Sequence, residues 1–181
     1  MPLASSGRRQ WILTGRMTKE ETGTAYHTRR DGRVFKSVKI MVSACLLGVN
    51  CKYNGGSNRN EALLKKLAGH EVIPVCPETA GGLPTPRIPA EIVNGTVLNR
   101  EGRNVDAEFR AGADAVLELA RREQPDLLIL QSRSPSCGVK EIYDGTFRGR
   151  RIPGQGIFAG LAQKAGFAVK DVEDFLREER A

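Results

Sequence analysis

The sequence contains no apolar stretch that approaches the ~20 residues needed for a membrane-spanning helix. Its longest apolar runs, such as residues 127–130, have the length of β-strands. The short apolar segment at residues 11–13 is also too small for the core of a secretory signal. We therefore expect no membrane span, and we expect a protein of the reducing cytoplasm.

Histidine is scarce, and neither His27 nor His70 lies in a Ser-His-Asp setting. Nothing therefore predicts a hydrolase built on a catalytic triad. Gly154 and Gly156 precede a predicted helix, but they lack a third glycine and a following Lys-Ser or Lys-Thr pair. We interpret these glycines as a site of tight packing rather than as a phosphate-binding loop.

The chain has only four cysteines in 181 residues, which is too few for a disulfide scaffold. The close pairs typical of structural zinc sites are also missing, since even Cys45 and Cys51 are separated by five residues. In a reducing compartment, clustered cysteines more often bind metal or take part in catalysis. The cysteine pattern thus disfavours both a disulfide framework and a zinc knuckle.

The net charge of +7 is concentrated in residues 1–40, which hold nine basic and three acidic residues. Residues 1–36 show no hydrophobic periodicity, so we expect a basic, disordered extension. Two other interpretations are an organellar transit peptide and a start-site artefact, with the functional chain beginning near Met17 or Met41. The remainder is nearly neutral and offers no basic stripe, so nucleic-acid binding is expected only if the extension provides it.

Strand-like and helix-like segments alternate from residue 37 onward. Strands are predicted at residues 38–42, 71–75, 126–131 and 167–169, and helices at 60–67, 106–120, 157–164 and 172–177. Asp106 is expected to cap the long second helix, and a small hairpin is expected around residues 96–102. The alternation predicts an α/β fold, a Rossmann-like three-layer sandwich with a mostly parallel central sheet. Residues 37–181 are expected to form one domain.

Three cysteines, Cys45, Cys76 and Cys137, each follow one of the predicted strands. The carboxyl ends of parallel strands share one edge of the sheet, where open α/β sheets bind ligands. Three thiolates that converge from distant positions suit a [4Fe–4S] cluster, whose fourth iron would stay open as a Lewis acid. Alternatively, these cysteines are small apolar core residues. Cys51 lies within a loop, and its role stays open between a fourth ligand and a non-ligand or redox-sensitive residue.

Several motifs resemble the bacterial family catalogued as domain of unknown function 523, whose characterised members are thiouracil desulfurases. The matching segments are Ser43-Ala-Cys-Leu-Leu-Gly48, Lys52-Tyr-Asn-Gly-Gly56, Val75-Cys-Pro-Glu78, Gly81-Gly-Leu-Pro-Thr-Pro-Arg87, Ser134-Pro-Ser-Cys-Gly138 and Tyr143-Asp-Gly-Thr-Phe147. The resemblance runs from about residue 39 to about residue 166. It departs from the family pattern at Asn54, where an aspartate is common.

The resemblance implies a [4Fe–4S] cluster held by Cys45, Cys76 and Cys137, with one iron free to take sulfur from a thiolated base. It also implies that Glu78 is the acid or base and that Ser134 is a second functional residue. We therefore expect an enzyme that removes sulfur from a thiolated nucleobase such as thiouracil, without net redox chemistry. The alternative is a non-catalytic metal-binding or redox-sensing module that holds zinc or an iron–sulfur cluster.

The chemistry of these residues is compatible with the same roles without reference to the family, and each role has a structural alternative. Glu78 lies two residues from Cys76 and is placed to exchange protons with a ring nitrogen or an attacking water; otherwise it caps a helix or is solvated. Ser134 donates a hydrogen bond to the substrate or satisfies its own loop, as serines before proline often do. Arg87 orients a substrate carbonyl or is simply a surface charge.

Overall fold

The computed structural model describes residues 26–28, 32 and 34–178. The strands of the described chain are β1 (Tyr26–Thr28), β2 (Val34–Lys36), β3 (Lys39–Ser43), β4 (Glu71–Val75), β5 (Ala90–Val93), β6 (Thr96–Asn99), β7 (Leu127–Leu130), β8 (Glu141–Tyr143), β9 (Arg151–Pro153) and β10 (Val169–Asp171). The α-helices are α1 (Glu61–Leu67), α2 (Pro77–Ala80), α3 (Asp106–Glu123), α4 (Ile157–Lys164) and α5 (Val172–Arg177).

The chain divides into two units, residues 1–36 and residues 37–181. In the described part of the first unit, β1 and β2 pair as an antiparallel hairpin, with His27 opposite Phe35. The rest of the predicted basic extension lies outside the described residues, and so do the predictions made for it.

The second unit is built on a four-stranded parallel sheet with the strand order β10-β7-β3-β4. The chain passes from β3 to β4 on one side and then crosses back to β7 on the other. The strand order therefore reverses between β3 and β7, and the carboxyl ends at such a switch point are the usual ligand site of open α/β sheets. The backbone N–H of Gln131, just after β7, donates to Ser43 Oγ at the end of β3 (3.0 Å).

Helices cover both faces of this sheet. Alternate strand residues such as Met41 and Leu128 point to α3 and α4, in a cluster that includes Val116 and Phe158. Their neighbours, among them Val42 and Ile129, point to the other face, where residues of α1 and α5 pack. The central strands are thus apolar on both faces because both faces are buried. The predicted α/β three-layer fold is confirmed.

Helices α2 and α3 meet at two glycines and approach to backbone contact. A Cβ added at Gly112 would lie 1.9 Å from the Pro77 carbonyl oxygen, and one added at Gly81 would lie 1.9 Å from the Glu108 carbonyl oxygen. Any larger residue at either position would push the helices apart. This contact fixes α2, and with it the residues that follow β4, against the longest helix of the described chain.

Four local expectations differ from the structure. The segment after Cys76, expected as a loop, forms the short helix α2, in which Pro77 takes the first position because that position needs no N–H donor. Asp106 does not cap α3; its carboxylate accepts the Val97 N–H (3.1 Å) and pairs with Arg110. The hairpin spans β5 and β6, and the last strand lies two residues later than expected.

In the described part of the chain, no helix is long and apolar enough to cross a membrane.

Candidate active site

The three cysteines predicted to converge do line one cavity of about 460 Å³ at the carboxyl edge of the sheet. Cys45 sits in a 3₁₀ turn directly after β3, Cys76 is the N-cap residue of α2 after β4, and Cys137 lies in the loop after β7. Because β7, β3 and β4 are parallel neighbours, their following loops share this edge.

Cys51 lines the same cavity, although it does not follow a strand. The loop after Cys45 folds back so that the Cys51 thiol hydrogen-bonds with the thiols of both Cys45 and Cys76. The Cys76 Sγ also lies 4.0 Å from the Cys51 carbonyl oxygen. All four cysteines are free thiols, and three are buried while Cys76 is half-buried. The structure therefore brings four thiols together where the sequence pointed to three.

Three of these thiols, those of Cys51, Cys76 and Cys137, have raised pKa values in this cavity. The hydrogen bond that the Cys51 thiol donates to Cys45 is the main reason that the pKa of Cys51 rises to about 11. Burial raises the pKa of Cys137 to about 12, although a hydrogen bond with Ser43 opposes the rise. The pKa of Cys76 is also raised, chiefly by its hydrogen bond with Cys51 and by burial. A metal that binds here must displace these protons, because the thiolate rather than the thiol is the metal ligand.

The donor set fits an iron–sulfur cluster. Buried thiols are the ligands that such clusters take, and all four cysteines line this cavity. Among the described residues, no three His, Cys, Asp or Glu side chains are arranged to hold a single metal ion. The thiols are nevertheless of the chemical type that an iron–sulfur cluster takes as ligands.

Glu78 lies on α2 and its side chain is 16% exposed. One carboxylate oxygen, Oε2, accepts from Arg87 Nε (2.8 Å) and lies 2.7 Å from Arg87 Nη2. The other oxygen, Oε1, lies 3.5 Å from Ser134 Oγ and 3.4 Å from Ser136 Oγ. One side of the carboxylate is thus held by a cation, while the other faces hydroxyl groups on the Cys137 loop.

Arg87 is buried, with its side chain only 7% exposed. Its guanidinium group has five N–H donors, and the structure provides five acceptor contacts. Two go to Glu78, and Nη2 also donates to the Cys51 carbonyl oxygen (2.9 Å). Nη1 donates to the Pro84 carbonyl oxygen (3.0 Å) and to Thr85 Oγ1 (3.2 Å). Arg87 therefore ties Glu78, the Cys51 loop and its own loop together.

Replacing Arg87 with methionine is expected to lower the free energy of unfolding by about 3–5 kcal/mol, because it leaves a largely buried carboxylate without its partner. Arg121→Met is the matched control, since the Arg121–Glu118 pair is 55% and 68% exposed. A change below about 1 kcal/mol is expected there. Urea denaturation of both variants measures the difference. Equal, small losses would show that the Arg87 contacts contribute little to stability.

Ser134 is placed by the loop that carries Cys137. Its Oγ accepts the backbone N–H groups of Ser136 and Cys137, each at 3.1 Å. The loop-stabilising alternative for Ser134 is therefore present in the structure. The hydroxyl proton stays available to an acceptor, and Glu78 Oε1 at 3.5 Å is the nearest one recorded for it.

Sequence reasoning passed over several residues that line the cavity. Ser43 is 2% exposed and bridges to Gln131, whose side-chain oxygen accepts from Asn58 Nδ2 (2.8 Å). Glu91 and Phe147 come from the two small hairpins β5–β6 and β8–β9. Ser43 had a usable signal, since it is a polar residue at the end of a buried strand. Phe147 belongs to the Tyr143–Phe147 motif that carries the family resemblance, but that motif did not predict its contact with the distant Glu91.

Comparison with known proteins agrees with this site. A family model described as 2-thiouracil desulfurase matches residues 40–174. The uncharacterized protein YbbK of Bacillus subtilis (strain 168) is 38% identical over 140 residues, which cover 72% of this chain and 93% of YbbK. The solved structure of a [4Fe-4S]-dependent thiouracil desulfidase, TudS, is 41% identical with a TM-score of 0.73, covering 78% of this chain and 95% of that one. The chain belongs to the 2-thiouracil desulfurase family.

Proposed function

We propose that the protein is a [4Fe–4S]-dependent desulfidase that removes sulfur from a thiolated nucleobase such as 2-thiouracil. The observation that carries the proposal is the convergence of free cysteines at the switch point of the sheet, within the segment that matches the 2-thiouracil desulfurase family. The TudS structure, which is named for the same cofactor and substrate, supports it.

Cys45, Cys76 and Cys137 are the proposed ligands. Each follows a different strand of the sheet, and all three line the cavity. When bound, a cluster with three protein ligands supplies a Lewis-acidic iron for the sulfur of the substrate. Cys51 is left as a thiol beside two of the ligands, and its hydrogen bonds support a role next to the ligand set.

Glu78 is the proposed general base. Water must add to the carbon of the C=S group, and the sulfur must leave as hydrosulfide while C=O forms. No electrons are gained or lost overall. Arg87 binds Oε2 of Glu78, which leaves Oε1, beside the Cys137 loop, to accept a proton from water. That proton then returns to the ring nitrogen or to the leaving hydrosulfide.

Ser134 is proposed to donate its hydroxyl proton to the substrate or to Glu78. The Ser134 Oγ accepts two backbone N–H groups, which fix the position of the oxygen. Only the direction of the hydroxyl proton is then free to change. Arg87 was predicted to orient a substrate carbonyl, and this stays a prediction. The N–H donors of Arg87 already have acceptors within the protein. A hydrogen bond to a substrate carbonyl would therefore require one N–H group of Arg87 to be shared between two acceptors.

The proposed activity is assigned to residues 37–181, and the substrate is a small thiolated base rather than nucleic acid. Four free thiols, three of them buried around a cavity, suit the reducing cytoplasm in which the protein is proposed to act.

Anaerobic purification followed by metal analysis and a turnover assay tests the proposal. We expect about four irons and a broad absorption band in the visible range, and conversion of 2-thiouracil to uracil with one hydrosulfide released per uracil. A protein with one zinc and no turnover would overturn the proposal. A protein that holds the cluster but releases no sulfide would instead support a sensing module.

A further inference from the structure

Phe147 has an unusual backbone conformation on the wall of the cavity. Its φ angle is +59°, in the left-handed region that bulky residues rarely adopt. Of the four described non-glycine residues with positive φ, Asn94 lies in the β5–β6 turn and Gln124 ends α3. Those two positions commonly accept this conformation. Phe147 lies in the loop between β8 and β9, but unlike asparagine a bulky aromatic residue rarely adopts this conformation, so a contact with another part of the structure must hold it.

Glu91 is the residue that holds Phe147 in place. Glu91 is 8% exposed, and its Oε2 accepts the backbone N–H of Phe147 at 3.0 Å across 56 residues of sequence. The adjoining turn packs on β5, since a Cβ added at Gly145 would lie 2.8 Å from the Ile92 carbonyl oxygen. A buried carboxylate is thus used to fix the loop that carries an aromatic residue.

Core packing does not account for this arrangement. Phe147 is half-buried, and it belongs to none of the three apolar clusters found among the described residues. Instead it lines the cavity that contains the cysteines and Glu78, together with two other aromatic residues, Tyr53 and Tyr143. The strained loop therefore presents an aromatic side chain to the site.

We propose that Phe147 is a specificity-determining residue whose ring stacks on the flat face of the substrate base. This rests on the proposed function and narrows its substrate class to aromatic thiocarbonyl rings. Stacking needs only a π face on each partner. A substrate with the same N–C=S group and no ring, such as thiourea, offers a much smaller face and gains much less from Phe147.

Phe147→Leu in the holoenzyme tests the proposal, because leucine keeps an apolar side chain and removes the π face. We expect KM for 2-thiouracil to rise roughly 5- to 50-fold, as expected for the loss of one base–aromatic stack, with the iron content unchanged. The dissociation constant of uracil, measured by calorimetry, should rise by a similar factor without any turnover. Phe147→Tyr keeps the ring and is expected to restore both values.

Thiourea provides the matched comparison, because any effect of Phe147→Leu on cluster loading or on Glu78 would reduce turnover of both substrates. We expect the variant to leave thiourea turnover within about 2-fold of the parent, well below the loss expected from a missing stack. Unchanged KM and unchanged uracil binding in Phe147→Leu, with an active parent enzyme, would overturn this inference alone. A parent that neither converts 2-thiouracil nor binds uracil would overturn both proposals.

Discussion

Cys137→Ala is expected to abolish both the cluster and the desulfurisation of 2-thiouracil. Cys137 is 5% exposed and is the cysteine that the β7 loop brings to the cavity. Without it, Cys45 and Cys76 would remain on neighbouring strand ends as two of the three proposed ligands, and two thiolates do not hold a [4Fe–4S] cluster. We expect iron to fall from about four per chain to below about one, with hydrosulfide release at background.

Cys51→Ala is the matched control for this variant, because it removes a second buried thiol from the same cavity. Since Cys51 is not among the proposed ligands, the variant is expected to keep its iron and its visible absorption band. Circular dichroism of both variants shows whether the fold is retained. Loss of the cluster in Cys51→Ala together with a full cluster in Cys137→Ala would place Cys51 in the ligand set instead.

The convergence of the cysteines was predictable from the sequence because the same buried parallel strands form the core of the fold and position the cysteines that follow them. Leu128, Ile129 and Leu130 are fully buried, as an uninterrupted apolar run in a parallel sheet should be. Once three such runs are each followed by a cysteine, parallel pairing brings the thiols to one edge. The sequence did not show which strands are neighbours, but the order β7-β3-β4 makes all three cysteines adjacent.

The residues that surround the thiols were less predictable, because side-chain contacts between distant segments decide their positions. Cys51 reaches Cys45 and Cys76 only because the intervening loop folds back, and no periodicity records that turn. Arg87 could equally have been a surface charge in the sequence, and only the fold shows its five contacts with four acceptor atoms. Phe147 is positioned by Glu91 from another hairpin. Hydrophobic periodicity and turn residues predict helices and strands well, but they do not predict side-chain contacts between distant segments.

Helix α2 shows why the position of Glu78 could not be predicted in full. The sequence placed Glu78 near Cys76, in a segment expected to be a loop. The close contact of Gly81 and Gly112 instead packs this segment on α3 as a helical turn. The carboxylate is thereby held between Arg87 and the serines of the Cys137 loop. Glu78, which the sequence placed only near Cys76, is thus held in one position on the cavity wall.

Glu78→Gln is expected to retain the cluster and to lower kcat by about 10²- to 10⁴-fold, the range typical of losing a general base. Glutamine has nearly the same shape, and its side-chain oxygen can still accept from Arg87, so loading of iron should not change. Its amide group cannot accept a proton from water at neutral pH, so attack on the C=S carbon should slow. Iron content and the visible spectrum show whether the cluster is retained. The rate of hydrosulfide release shows whether turnover slows.

The control for this variant is Glu118→Gln, which removes one negative charge from an exposed position on α3. It should leave both iron content and turnover unchanged, which separates the loss of the base from the loss of one charge. Full activity in Glu78→Gln would remove Glu78 from the proton-transfer step and leave Ser134 as the nearest alternative. Loss of iron in Glu78→Gln would instead assign Glu78 to cluster binding. The cysteines would then depend for their positions on the contacts that Glu78 makes with Arg87 and with Ser134 and Ser136.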